Sequence, residues 1–360
     1  PPSQATIYAE IALAESLAKI GTWATGAEYA SISSLRGNHR GIAPTLPRFP
    51  ASPFSESARI LATARQQAKS LGNPRAESYA LGRLGGLYEQ TQQWNDAKNL
   101  TQQALILAQE VRASEIAYQW QWQTGRLLKA TGEVSRSLLV YTEAVNTLKS
   151  LRQDLGAINQ EVQFSFRDSV EPVYRELVDL LLQGNPDQNN LASARATIEA
   201  LQLAELANFF RQACLDSKPQ SIEQVDPTAA VIYPIVLRDR LAVILSLPNQ
   251  PLRHYTTTIS QNQVEAVVNR MRQSLRRTSF AQERLPIAQQ IYSWLVEPAV
   301  ADLTRHQIKT LVFVLDGALR NLPIAALHDG KQYLIEQYGI AIAPSLQLLN
   351  PRPFARTHLK

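Results

Sequence analysis

The 360-residue chain has one cysteine, Cys214, one methionine, Met271, and no long apolar run. A single thiol excludes an intramolecular disulfide and any cysteine-rich metal site. No apolar run approaches the roughly 18 residues that a membrane span requires, so no membrane span is expected. Aromatic residues make up 7% and charged residues 19%, against 45% apolar, a globular balance without the composition of disorder. The net charge of +5 is mild. Arg270, Arg272, Arg276 and Arg277 do cluster, on a helix expected over 261–277, but no aromatic residues are interleaved for base stacking. A solvated helix face is expected there, and no nucleic-acid partner.

Other chemistries lack their residues as well. No Gly-x-x-x-x-Gly-Lys-Ser/Thr run is present, and Gly85-Gly86 falls inside a helical pattern. None of His39, His254, His306, His328 and His358 pairs with another at a metal-ligand spacing. No cofactor and no metal are expected. The sequence opens Pro-Pro-Ser-Gln, which reads as a start downstream of a native initiator. Compartment is therefore not legible, and cytoplasmic is only the default.

What is present is periodic. Ala64, Ala104 and Ala144 are spaced by 40, as are Leu71, Val111 and Leu151, while Gly85 and Leu87 recur at Gly125 and Leu127. A fixed period in this range marks stacked helix pairs, each burying its apolar face only against its neighbours. Leu84-Gly85-Gly86-Leu87-Tyr88, followed by Ala97 and Ala104, is similar to the tetratricopeptide pattern, in which small residues sit where paired helices approach closely. The next unit departs from it, with Thr124-Gly125-Arg126-Leu127-Leu128 and Ser137 at the first small position. A period of 40 rather than 34 implies helices about a turn longer. The array is read as tetratricopeptide-like, with HEAT-type pairs as the alternative. A first helix is expected over Ile7–Ile20 with its partner over Glu56–Ser70, separated by an inserted loop at about 22–54 carrying Pro44, Pro47, Pro50 and Pro53.

Past the repeats, Ser169–Leu182 and Asn190–Cys214 read as two helices around the turn Gly184-Asn185-Pro186-Asp187. From Lys218 the period changes. Ala229–Leu237, Leu241–Leu247 and Leu252–Ile259 read as an antiparallel meander, followed by helices at about 261–277 and 285–303 and strands at 310–315 and 339–343. The expected division is helical repeats over 1–155, bridging helices over 156–217, and an α/β part over 218–360.

The last stretch carries a family resemblance. Leu311–Gly317, then Leu322-Pro323-Ile324-Ala325-Ala326-Leu327-His328-Asp329-Gly330, then Tyr333-Leu334-Ile335-Glu336 leading to Ala343-Pro344-Ser345-Leu346, resemble the opening of a CHAT domain. This is a caspase-like module associated with tetratricopeptide repeats, and the resemblance is of the cyanobacterial type. It implies a multidomain fold, all-α repeats followed by the incomplete front part of a caspase-like α/β domain. In the family the catalytic pair is a His and a Cys, each after a later strand, and both would fall beyond Lys360. Catalytic residues are accordingly expected to be none.

The remaining candidates read as structural. Cys214, beside Ala213 and near Phe210, reads as a small buried hydrophobe, because a reactive thiol wants an electropositive, open setting. His328-Asp329-Gly330 reads as an Asp-Gly turn. Asp316 ends a strand at the carboxyl edge of the sheet, where α/β proteins place ligand groups, but an Asp-Gly turn residue is the plainer reading.

The repeats offer the better site. Their concave face is expected to present Gln119, Trp122, Arg126 and Lys129, with Tyr79, Glu89 and Gln90 on the unit before. An aromatic beside two cations suits a protein or peptide partner, in particular an acidic segment whose carboxylate an arginine would hold bidentately. The expected function is a protein-interaction module joined to a CHAT domain and non-catalytic as it stands. The alternative is a fragment of a CHAT-family cysteine peptidase with its catalytic half beyond residue 360.

Overall fold

The computed structural model describes residues 3–34, 53–155, 166–210, 226–275 and 281–346, and it divides into two compact units, 1–151 and 152–360.

In the first unit, helix α1 (Gln4–Ser34) is followed by α2 (Pro53–Ser70), α3 (Pro74–Gln90), α4 (Trp94–Glu110), α5 (Ser114–Ala130) and α6 (Val134–Leu155). Residues 22–34, expected in the inserted loop, instead continue α1, and 35–52 lie outside the described residues. Each turn from α2 onward is built the same way. Gly72, Gln92, Arg112 and Gly132, 20 residues apart, have φ of 61°, 59°, 51° and 82°. The next residue's N–H then bonds back five residues, as from Asn73 to Ala68 O at 2.9 Å and from Glu133 to Leu128 O at 2.9 Å. That pattern is the Schellman C-cap, which satisfies the last carbonyls with one left-handed residue and leaves room for a two-residue turn. The 40-residue period is therefore two strides of one helix-plus-turn module, and α3, α4 and α5 are each 17 residues long.

Small residues sit where the helices meet. Ala64, Ala104 and Ala144 are fully buried. A Cβ on Gly82 would lie 2.3 Å from the Trp120 ring, and one on Gly125 would lie 2.8 Å from Tyr141. Ser137, which breaks the alanine pattern, fits because its buried hydroxyl donates to Gly125 O at 2.8 Å. The core continues from Ile7, Ile11, Leu61, Ala80 and Leu84 to Leu81, Leu105, Ile116 and Trp120. The Trp120 indole N–H donates to Ser78 Oγ (3.0 Å), whose own hydroxyl donates to Ala104 O (2.7 Å), so the one polar group of this buried ring is satisfied.

In the second unit, a π-helical turn (Phe166–Val170) leads into α7 (Glu171–Leu181), and α8 (Gln188–Phe210) follows. Strands β1 (Ala229–Val236), β2 (Leu241–Ser246) and β3 (Arg253–Thr257) form the expected meander, followed by α9 (Gln261–Ser274) and α10 (Ala281–Leu295). The helix expected over 285–303 is interrupted. After Leu295 a 3₁₀ turn (Glu297–Ala299) contains Pro298, which cannot donate a helical bond, and α11 (Val300–Arg305) follows. Then come β4 (Thr310–Phe313), α12 (Leu334–Gln337) and β5 (Gly339–Ile342).

The meander and the last two strands form one mixed sheet, in the order β3-β2-β1-β4-β5. The β1–β2 and β2–β3 pairs are antiparallel, and β1–β4 and β4–β5 are parallel. The last two strands therefore extend the meander's sheet and do not form one of their own. β4 is paired on both sides, because Ala229–Ile232 of β1 accept it in register with Thr310–Phe313. All eight β1 positions are buried, which explains its unbroken apolar run. One face of the sheet holds Ile232, Val243, Leu245, Leu311 and Phe313 against Val264, Met271, Ile291 and Leu295 of α9 and α10.

Candidate functional site

The residues singled out in the repeats lie on α3 and α5. These are the first helices of successive pairs, and α1 contributes on their N-terminal side. The Tyr79 ring stands edge-on between Tyr8 (6.1 Å between ring centres) and Trp120 (6.3 Å). Burial pushes its phenol pKa up. Arg83 lies 5.6 Å over Trp120, pairs with Glu15 and donates to Gln119 Oε1 at 3.2 Å. Arg75 of α3 pairs with Glu115 of α5. At the far end, Arg126 stacks 4.4 Å over Trp122 and donates from Nε and Nη2 to the two oxygens of Glu89, at 2.7 and 2.8 Å. Trp122, Arg126, Glu89, Gln119 and Lys129 are half-buried, and Gln90 is exposed at the end of α3.

The structure therefore brings Glu89, Trp122 and Arg126 into one contact group and sets Tyr79 beside Gln119, while Gln90 and Lys129 flank them. It also changes the expected chemistry. Arg126 is not an open clamp for an incoming carboxylate, because Glu89 of the preceding repeat already holds it bidentately. Packing α3 against α5 brings a residue near the end of α3 opposite one 37 positions on, so the two charges meet. The signal was in the sequence as two opposite charges one repeat apart, but only the helix register shows that they touch.

Sequence reasoning missed a second polar cluster, in the second unit. Asp316 is fully buried just beyond β4. It receives Arg175 Nη1 and Nη2 at 2.9 and 3.0 Å and the Val236 N–H at 3.0 Å. Arg175 also donates to Glu171, at 2.5 Å. Burial works against the Arg175 charge, but Asp316 and then Glu171 outweigh it and hold its pKa above the ordinary value. Nearby, Arg320 pairs with Glu205, whose carboxyl pKa burial raises and Arg320 partly lowers. Asp316 is thus neither a bare turn residue nor an open ligand group. It is the buried half of an ion pair whose other half, partly exposed, lies 141 positions upstream, beyond the reach of any local motif.

His328-Asp329-Gly330 is a turn. The Gly330 N–H donates to His328 Nδ1 at 2.9 Å, and Asp329 Oδ1 accepts the Lys331 and Gln332 N–H groups. His328 stacks edge-on with Tyr333 at 5.0 Å. His254 contacts Thr256 Oγ1 at 3.2 Å on β3. Arg270 and Arg272 are exposed on α9. Cys214, His39, His358, Arg276 and Arg277 lie outside the described residues. Among the described residues, no group of three His, Cys, Asp or Glu could hold a metal ion. Nor is any helix among them long and apolar enough to cross a membrane.

Comparison with known proteins gives a family match and a weak structural likeness. Residues 285–358 match the family model of the CHAT domain. No curated protein matches the chain. Among solved structures, the chain is similar to the crystal structure of BtubC (BKLC) from P. vanneervenii at 16% identity and a TM-score of 0.27. That match covers 47% of this chain and spans 60% of the other. The matched family segment runs from α10 through β4 and β5 and contains the motifs on which the resemblance was read. The chain thus carries a CHAT domain, the caspase-like module, at residues 285–358, behind an N-terminal array of helical repeats.

Proposed function

We propose that the helical repeats of 1–155 are a tetratricopeptide-like array that binds a protein or peptide, joined to a CHAT domain that cleaves nothing in this chain. The partner would lie across Tyr79, Gln119, Trp122, Arg126 and Lys129, with Glu89 and Gln90 at the rim. The observation that carries this reading is the half-exposed stack of Arg126 on Trp122, fixed in place by Glu89. Tryptophan, tyrosine and arginine are the residue types that dominate binding hot spots. A face whose rotamers are already held by ion pairs between repeats loses less entropy when it meets a partner. Because the arginine is already neutralised, the preferred peptide would offer aromatic and amide groups, and an acidic one would have to displace Glu89. Parallel pairing of β1 with β4 supports counting 218–360 as one domain, larger than the matched segment.

The test is selection of a displayed random-peptide library on the whole chain. Enriched peptides should lose at least tenfold in affinity to Trp122→Ala and to Arg126→Ala, with the helical circular dichroism unchanged. Absence of enrichment, or peptides indifferent to both substitutions, would remove this surface from consideration. The non-catalytic reading has its own check: peptide hydrolysis by the chain, stopped by alkylating Cys214, would overturn it.

A further inference from the structure

The two faces of the sheet are joined to their helices in different ways. Toward α9 and α10 the contact is apolar, through Ile232, Val243, Leu245, Leu311 and Phe313. Toward α7 and α8 there is a polar side chain at each strand crossed. Gln188 exchanges two hydrogen bonds with Leu252 beside β3, at 2.9 and 3.0 Å. Arg195 reaches Ser246 of β2 at 3.4 Å. Glu199 accepts the Tyr233 hydroxyl of β1 at 2.8 Å. Gln202 donates to Leu315 O, just past β4, at 3.1 Å, and Glu205 pairs with Arg320. The spacings 7, 4, 3 and 3 put these five residues on one stripe of α8, in the spatial order of the strands. Helix α7 adds Arg175 on Asp316, and its Asp179 pairs with Arg240 at 2.7 Å.

We propose that α7 and α8 form a strap that lifts from the sheet as one unit, with the Arg175–Asp316 pair as its release point. Asp316 is fully buried and Arg175 partly so, and an ion pair taken out of water in this way is worth little more than apolar residues of the same shape, because its desolvation offsets its attraction. Hydrogen bonds at such an interface are exchanged for bonds to water on opening, at small net loss, whereas apolar area has no such substitute. The seat is also imperfect. Gln202 Oε1 is buried with no hydrogen-bond partner, a cost that hydration in the open state would relieve. The two helices pack against each other, so the hairpin keeps contacts of its own when it leaves. Val231, Ile235, Ile244, Val312 and Val314, all buried, line the opposite side of the sheet from the α9–α10 core and are what opening would uncover. Those residues also hold the strap down, so the open state is the minor one.

The experiment is native-state hydrogen exchange on the whole chain, read by mass spectrometry across low denaturant. Peptides from 171–181 and 188–210 should exchange together, at least tenfold faster than those from α9, α10 and β1. Arg175→Met should widen that gap by a further tenfold, leaving α9 and α10 as they were. Pairing it with Asp316→Leu, which replaces the charges by apolar groups, should close the gap again. One common exchange rate for both sets of helices in the unaltered protein would overturn the proposal, whatever the variants do. So would a double variant in which the strap is no better protected than in Arg175→Met alone.

Discussion

Single side chains in this molecule act mostly through a partner far away in sequence. Arg126 is set by Glu89, Trp120 by Ser78, and Asp316 by Arg175. Isolated residues could be read only as types: an exposed cation, a buried ring, a turn aspartate. His254 shows what the environment adds. Burial first, and then the Arg240 charge, lower its pKa below the ordinary 6.5. In the folded state it therefore gives up its proton at a lower pH than in the unfolded chain. Between those two values the unfolded chain binds more protons, so this histidine's contribution to stability is present above about pH 6.5 and is lost as pH falls through the folded value. His254→Gln should flatten that part of the pH dependence. Urea midpoints of both proteins from pH 8 to pH 5 would show it, and parallel curves would assign the trend to other groups.

At the scale of the element, the repeats are governed by their turns as much as by their faces. Four C-caps share one geometry, but two of them, at Gln92 and Arg112, place a side-chain-bearing residue in the left-handed region. That conformation costs an L-residue roughly 1–2 kcal/mol, part of which glycine would return through its freer unfolded chain. Arg112→Gly should therefore stabilise the array by about 0.5 kcal/mol. Gly132→Ala should destabilise it by about 1 kcal/mol, although a Cβ there meets nothing within 4 Å. Thermal unfolding of the two variants reads both signs, and equal shifts would show that the turns are indifferent to backbone conformation. The period of 40 was legible from recurring Ala, Gly and Leu positions, and the stride of 20 came from the turns of the structure. The length of α1 was not, because glycine and β-branched residues between 21 and 33 give no helical signal that outweighs the proline-rich stretch after it.

For the molecule as a whole, two compact units, each with its own apolar core, imply two cooperative transitions rather than one. Guanidinium unfolding followed by hydrogen exchange should give one midpoint for peptides within 1–151 and another for those within 226–346. A single shared midpoint would mean that the units unfold as one body. The sequence by itself determined the helix-pair period, the small residues at the crossings, the positions of the five strands among the described residues and the CHAT resemblance, because each is written in neighbouring residues or in one fixed spacing. Only the tertiary structure decided that β1 and β4 share a sheet, that Glu89 closes on Arg126, and that Arg175 holds Asp316. Those contacts join residues 37 to 141 positions apart, and nothing in the local periodicity of a chain records which distant polar group its packing will bring within 3 Å.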